Sequence, residues 1–349
     1  MHSLGDSRIK YFRTESFVPV TDNWNNAIKQ STGDYVVMLG DDDGLLPGYF
    51  STMLKAFAQF PDPDFVYVSA FFYAYPGVMP DAPAGFLRRD RNGVFKERQP
   101  FWLDDTRAKG VVQGYLNFKM PVASNMQFSL ISRRKLFELS RTGPFFQSPY
   151  PDFYATPMLF LTSARILIYP EPLVVIGITP KSYGFFHFNN RAADGVKFLK
   201  NDERLVGGSS VEFVMLPGTS YNDSWLLAME ALYKNHAGLR GMRPNYRRYR
   251  FLQIVHVYKK CYFDGLMRGT DLTTMRSRMY LFEKLIYGLG LPVGFRILRI
   301  VPNGFRARAV AALRRMIGQH PISEKSAGGP FNNLLEVFES MNSTQAAVR

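Results

Sequence analysis

Cysteine is almost missing from this chain of 349 residues, which has only Cys261. A lone thiol excludes an internal disulfide and any zinc site built on paired thiolates. Together with the lack of a signal-peptide pattern at residues 1–6, it favours the cytoplasm. Long apolar runs are missing too. The best candidate, residues 285–295, lies between Lys284 and Arg296 and contains three glycines and a proline, too short and too broken for a membrane span. Acids are scarce in one region: residues 240–315 hold 17 Lys and Arg against Asp264, Asp271 and Glu283, so this stretch carries the whole formal charge of +14. The remainder is formally neutral. Hydrophobic content of 46% with 21% charged residues excludes wholesale disorder and leaves ample material for a core.

What is present centres on residues 33–47. Tyr35, Val36, Val37, Met38 and Leu39 form an unbroken apolar run, as expected of a strand covered on both faces. It ends in Asp41, Asp42 and Asp43, held between Gly40 and Gly44, and Pro47 then suits the first turn of a helix. Phe50, Met53, Leu54 and Phe57 repeat at helical spacing behind it. A strand thus delivers three carboxylates to its carboxyl end, the edge where open α/β sheets bind ligands. Adjacent carboxylates repel one another, and a hard divalent cation, Mg²⁺ or Mn²⁺, relieves that repulsion while leaving positions open for phosphate. A solvated acidic turn whose last Asp caps the next helix is the other reading of the same residues.

Along the chain, residues 8–13 alternate as a strand, and Thr21 or Asp22 caps a helix bearing Trp24, Ala27 and Ile28 that Gly33 closes. Residues 64–72 read as a further strand, and 87–101, with Asn92-Gly93 at the middle, as a hairpin. Helices are expected at 104–118, from Arg133, and at 152–163; short strands at 165–169 and 173–178; and a mobile connection from Phe185 to Val214. From Asn222 the pattern is helical, with Trp225, Leu226, Met229, Leu232, Tyr233 and His236 on one face, then helices at 246–267, 273–289 and 304–316. The tail at 323–329 reads as flexible, with a short helix at 332–341.

Asp152, after a loop rich in proline and aromatics and at the head of a helix, is the second candidate. A metal site facing a separate carboxylate suits displacement of a phosphate leaving group by a hydroxyl, the carboxylate taking the hydroxyl's proton. By itself Asp152 would more often be a helix cap.

The order of Asn25-Asn26-Ala27-Ile28, Gly33 through Asp43 with Pro47, Ser129 through Arg134, Pro151-Asp152 and Ile168 through Val175 resembles the family-two glycosyltransferases. That resemblance implies the inverting GT-A fold, a Rossmann-like α/β mixed sheet flanked by helices. It also implies sugar transfer from a nucleotide-sugar donor to an acceptor hydroxyl with Mn²⁺ or Mg²⁺. By position, Asp42 matches the metal-ligating acid of the family's DxD motif, and Asp43 shares that metal assignment. Asp41 and Asp43 flank it as donor contacts, Asp152 matches the general base, and Asn25 an asparagine near the donor. His187 lies roughly where some members place a diphosphate- or metal-contacting histidine, though among Phe185, Phe186 and Phe188 a structural role is the commoner one.

Four departures qualify the match. Gly40 stands at the motif's first acid, and Pro151 replaces the acid that often precedes the base. The processive Gln-x-x-Arg-Trp signature is missing, which points to single-sugar addition. Only seven residues precede Arg8, so the donor-binding strand-helix-strand unit is expected to be truncated. The domain reading is a partial transferase domain at 1–184, a connection at 185–221, a basic helical subdomain at 222–320 and a flexible tail at 321–349. The basic subdomain, above all a helix from Gly304, suits an anionic membrane surface, with an ordinary packed helical subdomain bearing solvated basic faces as the other reading; nucleic acid is the weaker candidate, since no nucleic-acid-binding motif is recognisable. This places a polysaccharide or glycolipid transferase, with a glycan or lipid-linked acceptor, at the inner membrane face. The competing readings are a non-catalytic transferase remnant acting as a membrane-surface or interaction protein, and a nucleotidyltransferase with a similar acidic loop.

Overall fold

In the computed structural model the described residues are 6–90, 93–189, 191, 194–195, 197, 211–236, 239, 241–265, 269–302, 304–305, 308 and 331–347. Two long strands, β3 (Phe65–Ala74) and β7 (Ile166–Ile178), form a parallel spine. Each is lined by different short strands along its two halves. β6 (Ser129–Ser132) runs antiparallel to the first half of β3, and β4 (Phe86–Arg89) to the second. β5 (Phe101–Leu103) and β2 (Gly44–Leu45) do the same for β7, and β1 (Tyr35–Val37) closes the far side on β6. The result is a seven-stranded mixed sheet flanked by helices, a GT-A-like α/β architecture. Since β1 and β3 are both antiparallel to β6, the carboxyl ends of β1, β3 and β7 point the same way.

Around the sheet lie α1 (Val20–Gln30), α2 (Tyr49–Gln59), α3 (Asp105–Leu116), α4 (Arg133–Ser140), α5 (Pro151–Thr162), α6 (Tyr183–Phe188) and α7 (Ser220–Asn235). α5 lies against α3 and α7, and the Trp225 indole donates to the Tyr115 carbonyl at 3.1 Å, so α7 shares the core of the sheet. A second core gathers α8 (Tyr246–Lys259), α9 (Gly269–Arg278) and α10 (Leu281–Ile300) around Ile254, Tyr258, Met275 and Phe295. The Arg250–Glu283 ion pair, buried at 2.7 Å, ties α8 to α10. Finally α11 (Leu334–Ala347) returns to the sheet, where Val337 and Phe338 pack with Leu46, Tyr73 and Val175.

Several local expectations give way to tertiary context. Residues 8–13 form no strand: among the described residues no strand pairs with them and their side chains are exposed, so their backbone has no ladder to join. Thr21 does not cap α1, because its hydroxyl donates to the Ser148 carbonyl at 2.7 Å, and Pro19 occupies the cap position. The buried face of α2 is Tyr49, Met53 and Ala56, while Phe50 and Leu54 point outward. β4 and β5 do not form a hairpin, since each is claimed by a different spine strand; Gly93 instead lets the chain pass so close to Pro121 that a Cβ would meet its carbonyl. The two short strands expected at 165–178 are one strand: Tyr169 pairs with Val68 and Pro172 with Ser69, so Pro170 and Glu171 bulge out of a continuous ladder. The helix at 273–289 is two, broken where Glu283 turns back to accept the Tyr280 N–H at 2.8 Å. In the expected connection at 185–221, Val211 and Val214 are buried in the main core. Most of the 304–316 helix and all of 323–329 lie outside the described residues.

Candidate active site

β1 ends at Val37, and the chain turns back on itself through the three aspartates. Asp43 makes the turn: its carboxylate accepts the Gly40 N–H at 2.7 Å, the Gly177 N–H at 3.0 Å and the Gln127 side-chain amide. Both oxygens are therefore committed to holding the loop against the end of β7 and the segment before β6. A Cβ on Gly40 would come within 2.8 Å of Asp43 Oδ2, so the glycine at this position is what lets the carboxylate fold back. Gly177 serves a second close approach, where a Cβ would collide with the Asp42 carbonyl oxygen.

Asp42 is less committed. It accepts the Thr179 hydroxyl at 3.1 Å from the turn after β7, with the Ser182 hydroxyl nearby. Burial raises the pKa of both Asp42 and Asp43 above the usual carboxylate range, and these hydrogen bonds oppose the rise without cancelling it. Asp41 is exposed. Burial and then the charges of all three acids raise the pKa of the Tyr75 phenol.

After this turn a line of aromatic rings runs from α6 to the head of α5. Tyr183, at the start of α6, meets Tyr150 edge-on with ring centroids 4.7 Å apart, and Tyr150 stacks on Phe153 at 5.2 Å. Asp152 lies between those two in sequence, at the second position of α5 behind Pro151. Burial raises the pKa of Tyr115 on α3 and Tyr221 on α7, and the charge of Asp152 adds to the rise of both. It keeps some solvent access, yet the surrounding protein pushes its pKa up to about 7, with only its own N–H opposing the rise. Asn25 is occupied differently. Its amide donates to the Phe146 carbonyl at 2.9 Å and accepts the Phe146 N–H at 3.0 Å, clamping α1 to the loop that delivers Asp152. His187 falls within α6, but its side chain is outside the described set.

Residues 1–109 match the family model described as glycosyl transferase family 2. Over those residues the chain is similar to the family-two glycosyltransferases. The match spans Asn25 and all three aspartates and stops before Asp152. No curated protein matches the chain.

The family uses nucleotide-sugar donors and commonly a divalent metal, so the donor set needs testing for fit. Among the described residues, no three carboxylate, imidazole or thiolate side chains gather as a cage. Mg²⁺ and Mn²⁺ at phosphate-transfer sites do not need one, because one or two carboxylates, substrate phosphates and water complete the shell. A partly buried carboxylate beside an exposed one, as at Asp42 and Asp41, fits that open mode. Asp43, with three donors, has less to offer. A cavity of about 410 Å³ between Tyr35, Asp62, Arg134 and Arg165 lies at the starting ends of β1, β3 and β7, away from this chemistry.

Sequence reasoning missed Gln127, Gly177, Thr179, Tyr150, Tyr183 and Tyr221. Gln127 and Gly177 carry no local signal, since their significance lies in meeting Asp43 across 84 and 134 residues. The aromatics were legible only as composition.

No helix of the described residues is long and apolar enough to cross a membrane.

Proposed function

We propose that this glycosyltransferase is metal-dependent and inverting, with Asp42 as the protein's principal metal ligand, assisted by Asp41, and Asp152 as the general base. The single observation behind it is the contrast between two acids. Asp152 is a carboxyl raised to about 7 by burial, with no side chain among the described residues donating to it, whereas Asp43 is filled with donors. A base is most effective when its pKa lies near the working pH, and burial without hydrogen bonds is how a carboxylate reaches that range.

In this reading the Asp152 carboxylate takes the proton of the acceptor hydroxyl as its oxygen bonds to the anomeric carbon. The bond from that carbon to the diphosphate oxygen breaks, and its electron pair leaves with the nucleoside diphosphate. Attack opposite the leaving group inverts the anomeric centre. A bound Mn²⁺ or Mg²⁺ would neutralise charge growing on the departing diphosphate. Asp43 fixes the loop that presents Asp42, and Asn25 fixes the loop that presents Asp152, so both serve by positioning. The acceptor is a glycan or lipid-linked glycan of surface polysaccharide or glycolipid assembly, met on the cytoplasmic side, and one sugar is added per encounter.

The test is a product assay with a panel of nucleotide-sugars and Mn²⁺, run on the wild type, Asp42→Ala and Asp152→Asn. Loss of transfer in both variants, each with an unaltered circular dichroism spectrum, is expected. Wild-type turnover in either one removes that residue from the mechanism.

A further inference from the structure

We propose that Phe338 on α11 is a positioning residue for the acidic loop, its ring fixing the short strand that holds Asp41, Asp42 and Asp43 in place. β2 follows Asp43 without a break, and it is a weak anchor by itself. It is two residues long, ends the sheet, and among the described residues pairs with β7 alone, Gly44 opposite Val175 and Leu45 opposite Val174. Glycine in a strand supplies no packing and often marks a close approach. Gly44 does not take the left-handed conformation that would itself call for glycine. A ring calls for it instead: a Cβ there would collide with Phe338 Cζ and lie 3.3 Å from its Cε2.

α11 is docked firmly enough to hold that ring. Leu334, Val337, Phe338 and Met341 share one face at three-, four- and seven-residue spacing, and they join the cluster around Tyr73 and Val175, with Val337 fully buried. Its start is fixed twice. Asn333 accepts the Glu336 N–H at 3.1 Å while the Glu336 carboxylate accepts the Asn332 N–H at 2.8 Å, and the Tyr73 hydroxyl donates to the Phe331 carbonyl at 2.8 Å. Neighbouring α-carbons are held about 3.8 Å apart by the peptide between them, so where the ring sets Gly44, Asp43 follows. From that place the Asp43 carboxylate reaches the Gly40 and Gly177 N–H groups and closes the loop. Ring, strand and carboxylate form one mechanical chain, and Asp42 is carried on the loop it holds.

The position of the loop is measured without metal or sugar; only the consequence for Mn²⁺ rests on the reading of Asp42 as its ligand. Amide hydrogen exchange of the full chain is followed in peptides covering 38–46 and 175–179, where the Gly40, Leu46 and Gly177 N–H groups are hydrogen-bonded. In Phe338→Ala, exchange in both peptides should rise by about tenfold or more while peptides of β6 and α8 keep their wild-type rates. Phe338→Leu, which refills most of the space, should recover most of the protection. Gly44→Ala should loosen the loop by itself, yet add little in Gly44→Ala/Phe338→Ala, where the ring is gone. Mn²⁺ alone is then titrated into each protein and followed by the paramagnetic resonance of the free ion, with Asp42→Ala as the reference. Its Kd should rise by about tenfold or more in Phe338→Ala. The proposal is overturned if Phe338→Ala leaves the loop peptides at wild-type rates, or if exchange rises equally across the sheet, as loss of ordinary packing would cause. It is also overturned if the effects of the two substitutions add, since ring and glycine then do not compete for one space. Unchanged Mn²⁺ binding in Phe338→Ala, with binding lost in Asp42→Ala, overturns it as well. Wild-type Mn²⁺ binding in Asp42→Ala removes the metal assignment instead, and the exchange rates still decide whether Phe338 sets the loop.

Discussion

Replacing Asp152 with asparagine should stabilise the protein while stopping its chemistry. The carboxyl has a folded pKa of about 7 against an ordinary value of 3.8. The folded state therefore binds its proton more tightly than the unfolded chain does. Below the unfolded pKa both states are protonated and the group costs nothing. As pH rises from about 4 to about 7, the unfolded state gives up its proton first and stability falls; above about 7 the loss is complete. At about 1.4 kcal/mol per unit, the full shift sets a ceiling of about 4 kcal/mol. Remaining solvent access and the effective dielectric of real interiors reduce this to roughly 1–3 kcal/mol.

Asparagine has no charge to bury, so its stability stays flat across that window. Thermal unfolding of wild type and Asp152→Asn at pH 4, 6 and 8 separates the two curves, because other titrating groups, Asp223 among them, cancel in the comparison. The variant should match the wild type at pH 4 and melt roughly 2–6 °C higher at pH 8. Transfer should fall by between about a hundred- and ten-thousand-fold, as when a positioned base is lost. A melting difference that does not change with pH would refute the argument, since burial of charge could not then be its source.

Asp42→Ala should abolish transfer with the melting temperature within a degree or two of wild type, and chelation should silence the wild type until Mn²⁺ or Mg²⁺ is restored; activity that survives chelation would rule out the metal. Asp43→Ala, by contrast, should cost about 2–4 kcal/mol of stability in addition to activity, because it orphans three donors at once. A melting temperature equal to that of Asp42→Ala would contradict its anchoring role. The Tyr183 hydroxyl is buried without a partner among the described residues, so Tyr183→Phe should raise the melting temperature slightly. If that hydroxyl also meets the sugar, KM rises several-fold with kcat little changed, and an unchanged KM would leave it a packing residue only.

The order of strand, acidic loop and helix was legible because each step is local. The bounds were less so: β1 stops at Val37 rather than Leu39, and Pro47 lies in the turn before α2, whose cap is Gly48, not in its first turn. The helices of residues 105–162 and 220–235 were legible for the same reason, since a repeating apolar face needs no knowledge of its partner. Failures came where a distant segment claimed a group that looked locally committed. Thr21 should cap α1 but donates to Ser148, and Asn92-Gly93 should make a hairpin, but β3 and β7 each take one of its strands. The bulge at Pro170 and Glu171 hid a thirteen-residue strand, because prolines that break a lone strand can be expelled from a ladder that continues around them.

The acidic cluster shows how far a motif can be read without its surroundings. Three successive aspartates look equivalent in sequence, and assigning the metal among them was a matter of register. The structure separates them by what each has left over. Asp43 spends both oxygens on Gly40, Gln127 and Gly177, Asp42 is partly held by Thr179, and Asp41 faces solvent. A carboxylate saturated with N–H donors is a poor metal ligand, because each donor must be given up before an oxygen can coordinate, at about 1.5–3 kcal/mol per charge-assisted bond. The glycine at the motif's first acid position has the same cause, since a side chain there would occupy the space into which Asp43 folds. An acid at residue 40 would therefore displace the anchor and would not add a ligand. The proposed register rests on this local competition: Asp43 holds the loop, and Asp42 has fewer donors to give up.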